Sequence, residues 1–407
     1  MKIIYFHQHF TTPSVGGGIR SYQFARQLIK EGHQVTIVSG GTCFLGLPST
    51  TVKDVYRGYL DGIDVVQIMI SYSNSFSLFQ RMKSFLTYAR RGIQFAMKEE
   101  YDLLFATSTP LTAGIPGIFA KIFRRKPFVF EVRDLWPELP KALGLKNPFF
   151  LLGMSALEKM SYWIADACVG LSPGICEGIK RRSQKDKMIE MIPNGCDLDI
   201  FVPGERENLK LEGLSREDKV AIFTGAHGIA NGLDAVLDMA NVLKKRNRTD
   251  IKIVFVGDGK LKPALKDRAQ REKLDNCLFF DPVSKNELKD IVSSADMGLM
   301  VLKNVPAFYY GTSPNKFFDY ISAGLSIVNN YPGWLCDLIT ENQCGVVVSP
   351  TDAEAFADGV VYLADHPEER KQFGMNSRVL AEREYSRDRL AGQFVSFLEE
   401  VYSRTIK

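Results

Sequence analysis

Lys316 and Asp319 stand one helical turn apart, between the loop residues Gly311, Thr312, Ser313, Pro314 and Asn315 and a stop at Gly324. An ammonium is a compact charge for phosphate oxygens. A carboxylate accepts hydrogen bonds from the two hydroxyls of a diol. Ser313 is expected to cap a short helix, and Pro314 fits its first turn, where a missing N–H costs nothing. The free amides and positive end of that helix add to an anion site. A phosphate near Lys316 and a diol near Asp319 together describe a nucleotide sugar. An ordinary αβ turn has the same local pattern, so the rest of the chain must decide.

Other stretches carry chemistry of the same kind. Gly16, Gly17 and Gly18 precede Arg20, and Gly225, Ala226, His227 and Gly228 form a second glycine loop. His227, with an unperturbed value near ~6.5, suits phosphate donation, leaving-group protonation or a plain backbone bond. Gly257, Asp258 and Gly259 form a third loop. Glu131, Arg133, Asp134 and Glu138 cluster with Trp136 where a strand is expected to end. Four charges there are costly to bury unpaired, which favours a site over a structural ion-pair cluster. The seven cysteines show no CxxC or metal spacing, and with no secretory segment they fit a reducing cytoplasm. No pair of acids stands at a strand end to hold a divalent ion, so no metal and no cofactor is expected.

The elements that must position these residues form an α/β chain with two doubly wound domains. Strands are predicted near 2–7, 34–39, 63–69, 101–106, 127–132, 167–171 and 187–192. After turn signals at Pro193, Asn194 and Gly195 the rhythm restarts near 220–224, 251–256, 278–280, 297–301, 326–330 and 346–348. Helices are predicted near 19–31, 76–99 and 233–245, with a tail helix near 387–402 that packs back on the first domain. The expected division is 1–197, 198–385 and 386–407. Each glycine loop then falls at the carboxyl end of a strand, where such sheets bind ligands.

Charge is uneven. Residues 1–200 hold 24 Lys and Arg against 17 Asp and Glu, and the remainder holds 27 against 30. A net of +7 before a net of −3 points the first domain at an anionic surface. Phe76, Phe79, Met82, Leu86, Ala89, Ile93 and Ala96 form an apolar stripe among Arg81, Lys83, Arg90, Arg91 and Lys98. Another basic cluster, Lys121, Arg124, Arg125 and Lys126, borders Ile118, Phe119, Ile122 and Phe123. The stripe serves either as core or as an interfacial membrane patch. No run reaches the ~18 apolar residues of a membrane span. Nothing alternates basic and aromatic residues as nucleic-acid readers do, so no nucleic acid is expected.

Six landmarks in register carry a resemblance over essentially the whole chain. They are the first glycine loop with Ile19, Arg20 and Ser21, the 131–138 segment, Pro193–Gly195, the loop at 225–232, the loop at 257–259 and the stretch at 311–324. Together they resemble glycosyltransferase family 4 of the GT-B fold, and within it the bacterial O-antigen and capsule transferases of the N-acetyl-L-fucosaminyltransferase group. The resemblance implies two Rossmann-like domains facing a central cleft and transfer, with retention, of a sugar from a UDP-sugar. The N-acetylated amino or deoxy sugar would go to a polyprenyl-diphosphate-linked saccharide, at the inner face of the plasma membrane. The second domain would hold the donor through Gly225, Ala226, His227, Gly228, Gly257, Asp258, Val283, Ser313, Pro314, Asn315, Lys316 and Asp319, with Gly16, Gly17, Gly18 and Arg20 closing over the diphosphate. His227, Lys316, Arg133, Glu131 and Asp134 would serve catalysis, and Glu131, Trp136 and Glu138 the acceptor.

The chain departs from the family pattern. Gly311 occupies the first acidic position of the E-x7-E signature that ends at Asp319. Ala226 and Asn231 stand where many members have Arg and Lys, and Arg133 where many have His. A UDP-GlcNAc 2-epimerase-like enzyme and a catalytically silent sugar-nucleotide-binding partner of an assembly complex are the alternatives.

Overall fold

The first strand, β1 (Lys2–Phe6), is buried on both faces and pairs in parallel with two neighbours, Tyr5 lying level with Ile37 on one side and Phe105 on the other. Such strands read as continuous apolar runs rather than alternating ones. The structure, a computed structural model, describes residues 1–13, 18–41, 50–52, 55–73, 76–204 and 211–406. It divides into two units, Met1–Pro193 with Asp388–Lys407, and Asn194–Arg387. Both are Rossmann-like α/β units.

In the first unit β1 is followed by β2 (Gln34–Gly41), β3 (Thr50–Val52), β4 (Val55–Leu60), β5 (Ile63–Met69), β6 (Leu103–Thr107), β7 (Phe128–Val132), β8 (Ala167–Gly170) and β9 (Met188–Met191). Their order in the sheet is β3-β4-β5-β2-β1-β6-β7-β8-β9. Pairing is parallel from β5 to β9, while β3 and β4 add an antiparallel edge. The order reverses at β1, so a crevice opens at the carboxyl ends of β1 and β6. The edge hairpin was not expected from sequence. Asp61 and Gly62, at φ 50° and 84°, link β4 to β5, the left-handed pair that a two-residue hairpin turn requires.

The second unit contains β10 (Lys219–Thr224), β11 (Ile251–Val256), β12 (Cys277–Phe280), β13 (Met297–Met300), β14 (Ser326–Asn329) and β15 (Gly345–Val347). Their order is β12-β11-β10-β13-β14-β15, all parallel. The reversal lies between β10 and β13. The loops after these two strands carry residues 225–228 and the approach to Lys316.

Helix Arg387–Ile406 supplies Leu390, Phe394, Val395, Leu398 and Val401 to the core of the first unit. The Phe394 ring stacks on Phe24 at 4.3 Å and meets Phe105 edge-on at 4.8 Å. Helix Leu78–Lys98 starts with a reciprocal capping box between Ser77 and Gln80, which satisfies two otherwise free amides. Its expected stripe is split. Tyr88, Ala89, Gly92 and Ala96 face the core, while Phe79 and Leu86 point outward, 80% and 50% exposed. Gly92 permits the close approach of helix Ile115–Arg124, since a Cβ there would lie 2.7 Å from Pro116 Cγ. Of the basic cluster at 121–126, Lys121 pairs with Asp166 at 2.6 Å and Arg124 with Glu100 at 3.0 Å. No helix among the described residues is long and apolar enough to cross a membrane.

Candidate active site

The second unit builds its site from three loops. Thr224, the last residue of β10, donates its amide to the Tyr320 hydroxyl at 2.8 Å. That bond ties helix Asn315–Ser322 to the strand and fixes the direction of Lys316. After Thr224 the chain turns through Gly225 at φ +116°. Gly257, at φ +146°, lies so close that a Cβ there would sit 2.0 Å from the Gly225 carbonyl oxygen. The His227 amide donates to Asp258 O at 2.9 Å, and the Leu261 amide to His227 O at 3.0 Å. The two glycine loops therefore pack backbone on backbone, and side chains larger than hydrogen at Gly257 would separate them.

Lys316 is the free charge of this arrangement. Its Nζ sits 3.6 Å over the Phe223 ring and 3.3 Å from Asn231 Oδ1. Among the described residues no carboxylate pairs with it. Burial lowers its pKa to about 7. A cation over an aromatic face gains from the ring quadrupole, but only an anion would restore its ordinary basicity. Asn231 also donates to Ala226 O at 2.7 Å, so the residues found in place of Arg and Lys brace the loop and orient Lys316. The Asp319 carboxyl, one turn on, has no hydrogen-bond partner among the described residues. Burial raises its pKa to about 7, with Lys285 and Arg387 opposing and Asp197 adding to the rise.

Ser313 does not cap the helix. Pro314 occupies the N-cap position, without a side-chain bond, and Ser313 Oγ accepts from the Asn194 amide at 3.0 Å. Asn194 Nδ2 returns a bond of 2.6 Å to Ser313 O, and Trp334 Nε1 holds Thr312 O at 2.7 Å. The loop is pinned from two sides by residues that sequence inspection did not assign to the site. Lys262 is another. It is buried and donates to Gly257 O and Phe280 O at 2.8 Å and to Asp281 at 2.6 Å, fixing the segment that leads to the exposed Val283.

His227 is fully buried among Phe223, Phe255 and Phe279, with ring centroids 6.1–6.4 Å away. Neither ring nitrogen has a partner. Burial first, then Lys262, lowers its pKa to about 4. At neutral pH it is uncharged, so the expected role as leaving-group acid does not fit this environment. Gly311 is half-buried and offers no acid.

In the first unit the structure separates two residues from the expected surface. Arg20 and Glu131 are 3% and 0% exposed and paired, Arg20 Nη2 reaching Glu131 Oε1 at 2.8 Å. The same guanidinium also donates to Ile192 O at 2.7 Å and to Pro193 O, and Thr107 Oγ1 donates to Glu131 Oε2. All polar edges are taken inside the fold. Arg20 therefore does not meet a diphosphate, and Glu131 does not orient an acceptor. Gly16 and Gly17 lie outside the described residues, and Gly18 is exposed.

What does face the crevice is Arg133, half-buried and without an ion-pair partner among the described residues. The Asp134 carboxyl accepts from Thr109 Oγ1 at 3.2 Å, and burial raises its pKa against the pull of Arg133. Directly after β1 come His7, Gln8 and His9, which sequence inspection passed over in favour of the glycines that follow. Burial, then the Arg133 charge, holds His7 well below its usual range and His9 at about 4. His7 Nδ1, Gln8 Oε1 and Ser39 Oγ are buried without partners. Such unmet polar atoms at one strand edge mark a place for a polar ligand. Trp136 Nε1 is likewise unpartnered, whereas Glu138 is bound by Arg182 at 3.2 Å.

Residues 15–200 match the Glycosyltransferase Family 4 domain and residues 205–379 the Glycosyl transferases group 1 domain. An uncharacterized glycosyltransferase of Methanocaldococcus jannaschii is 21% identical over 97% of both chains. The O-antigen chain mannosyltransferase C of Escherichia coli is 23% identical over 44% of this chain and 46% of its own. Among solved structures, sucrose-phosphate synthase of Thermosynechococcus elongatus superposes with a TM-score of 0.78, at 16% identity over 99% of each chain. HepE of Anabaena, in complex with UDP and glucose, gives 0.73 at 14% identity, over 98% of this chain and 99% of its own. At these identities the structural likeness speaks for the GT-B fold. The two matched domains span both units, and the chain belongs to the family 4, GT-B-type glycosyltransferases.

Proposed function

We propose that the protein is a retaining transferase that moves a sugar from a UDP-sugar to a saccharide carried on a lipid diphosphate. The observation that carries the donor half is Lys316, an ammonium without a carboxylate, set beside the Gly225 loop. A departing nucleoside diphosphate develops negative charge, and preorganised donors around it are the largest single aid to its departure. Lys316 and the Ala226 and Gly228 amides supply that aid here, without a divalent ion, while the Gly225 and His227 amides are bound within the fold. Asp319, one turn away, offers two open carboxylate oxygens to a ribose. The UDP and glucose of the HepE complex support a UDP donor, and retention goes with the family resemblance.

The acceptor half rests on Arg133 and Asp134 in the first unit. Arg133 suits an acceptor oxyanion, and Asp134 can orient the hydroxyl that attacks. The O-antigen mannosyltransferase relative supports a saccharide of a bacterial surface polymer as the acceptor, and the resemblance to N-acetyl-L-fucosaminyltransferases supports an N-acetylated amino or deoxy sugar as cargo. The outward Phe79 and Leu86, beside Arg90 and Arg91, support peripheral attachment to the inner membrane face. Calorimetry with UDP, then a labelled-donor assay on a lipid-linked acceptor in EDTA, tests the proposal. UDP binding that survives Lys316→Ala unchanged removes the donor site, and activity that vanishes in EDTA removes metal independence.

A further inference from the structure

A cavity of about 630 Å³ lies in the first unit between helices Leu78–Lys98 and Pro148–Ile164 and the short helix Glu138–Ala142. Its wall is apolar, with Leu111, Ile115, Leu139, Phe150, Met154 and Leu157 among its members. One end reaches the candidate acceptor site. Pro110 and Trp136 line it, and the nearby Thr109 and Asp134 are hydrogen-bonded to each other at 3.2 Å. Arg81 and Trp136 interrupt the apolar lining, with Trp136 Nε1 and Arg81 Nε just behind its surface. Both are buried and neither has a partner. At the mouth, Leu78, Leu86, Leu143 and Phe149 are 44%, 50%, 46% and 84% exposed.

Each feature constrains the occupant. An apolar wall of this size gains by covering hydrocarbon. Unmet donors in a buried place cost free energy unless an acceptor arrives. A guanidinium prefers a phosphate or carboxylate. At roughly 30 Å³ per water-sized group the cavity takes about twenty carbon atoms, the length of four isoprene units. The apolar mouth lets a longer chain continue outward. We infer that this cavity holds the first isoprene units of an isoprenoid diphosphate, with the diphosphate between Arg81, Trp136 Nε1 and Arg133. The inference rests on the lipid-linked acceptor proposed above, and it names where the lipid sits.

Gly153 provides the test. It lines the cavity inside helix Pro148–Ile164, and a Cβ there meets nothing within 4 Å. Gly153 is exposed at the open side of the cavity, so Gly153→Phe sets a ring across its mouth without a clash at Cβ and replaces a residue unfavourable to helices. Calorimetry on the purified full chain would use geranylgeranyl diphosphate, geranylgeraniol, hexadecyl phosphate and inorganic diphosphate. Gly153→Phe is expected to weaken geranylgeranyl diphosphate at least tenfold with Tm unchanged. Arg81→Gln is expected to weaken the diphosphate about tenfold and leave the alcohol unaffected. Wild-type protein that does not bind geranylgeranyl diphosphate, equal affinity for hexadecyl phosphate, or a Gly153→Phe variant that binds as well as wild type overturns the inference.

Sugar transfer separates this inference from the function it rests on. Isoprenoid binding blocked by Gly153→Phe, in a protein that transfers nothing, keeps the cavity assignment and removes the transferase proposal. Transfer to a lipid-linked acceptor that Gly153→Phe leaves at its wild-type rate keeps the transferase and removes the cavity assignment.

Discussion

In sequence, Arg20 and Glu131 of the first unit resemble Lys316 and Asp319 of the second unit. Each pair is a cation and an acid near the carboxyl end of a central strand. In the fold they are opposites. Arg20 spends its donors on Glu131 and two main-chain carbonyls, and nothing is left for a ligand. Lys316 touches an aromatic face and one amide oxygen, and the Asp319 carboxyl touches no donor among the described residues. A charge that the fold has satisfied holds the fold together. A charge that it has left unsatisfied destabilises the empty protein and waits for a ligand.

Removing the satisfied charge should have the largest effect. Arg20→Met leaves Glu131 buried and uncompensated and should cost about 3–5 kcal/mol of stability in urea unfolding. Retained stability would show that the pair is not structural. The unsatisfied charge should behave in the reverse sense. Lys316→Met is expected to weaken UDP binding by about 10–100-fold, the scale of a hydrogen bond to a charged group, and to raise the Tm of the empty protein by about 2–4 °C. A lowered Tm would erase the contrast.

The pH dependence sharpens it. With its pKa near 7 in the empty site, against an ordinary 10.5, Lys316 must regain a proton to meet a diphosphate. UDP affinity should fall as pH rises above 7, about fivefold between pH 7 and 8 and closer to tenfold per unit beyond that, and Lys316→Met should lose that slope. For stability the sign is the other way. Between pH 7 and 10.5 the unfolded chain binds the proton that folded Lys316 has lost, so stability from this residue rises with pH across that window. The smallest effect belongs to His227→Phe. The ring has no polar partner and three aromatic neighbours, so stability should change by less than about 1 kcal/mol and turnover by less than about twofold. Loss of turnover in the calorimetrically intact variant would restore His227 as a participant.

The same contrast explains what could be read from sequence. The buried parallel strands announce themselves as apolar runs, and Ile63–Met69 and Ile251–Val256 fall where expected. Lys316 was legible because its loop and helix are local. Ser313 was not, because its hydroxyl is claimed by Asn194, 119 residues away. Arg20 and Glu131 find each other across 111 residues, and no spacing rule reports that a charge will be neutralised from such a distance. His227 was misjudged for a related reason, since the phenylalanines that surround it come from three different strands. The antiparallel edge and the His7, Gln8 and His9 run had visible signals, an Asp-Gly turn and polar residues directly after a strand. Both were overlooked beside glycine loops that resemble a known pattern.

The helix at residues 387–406 gives the chain a timetable. Phe24 and Phe105 emerge early from the ribosome, yet Phe394, the ring that covers both, comes after the whole of the second unit. Residues 194–387 have every strand of their own sheet by then and can close as a unit during synthesis. The first unit must keep one apolar face uncovered throughout that interval. Its core closes only once this helix has been made, which leaves the earliest-made strands the most exposed part of the growing chain.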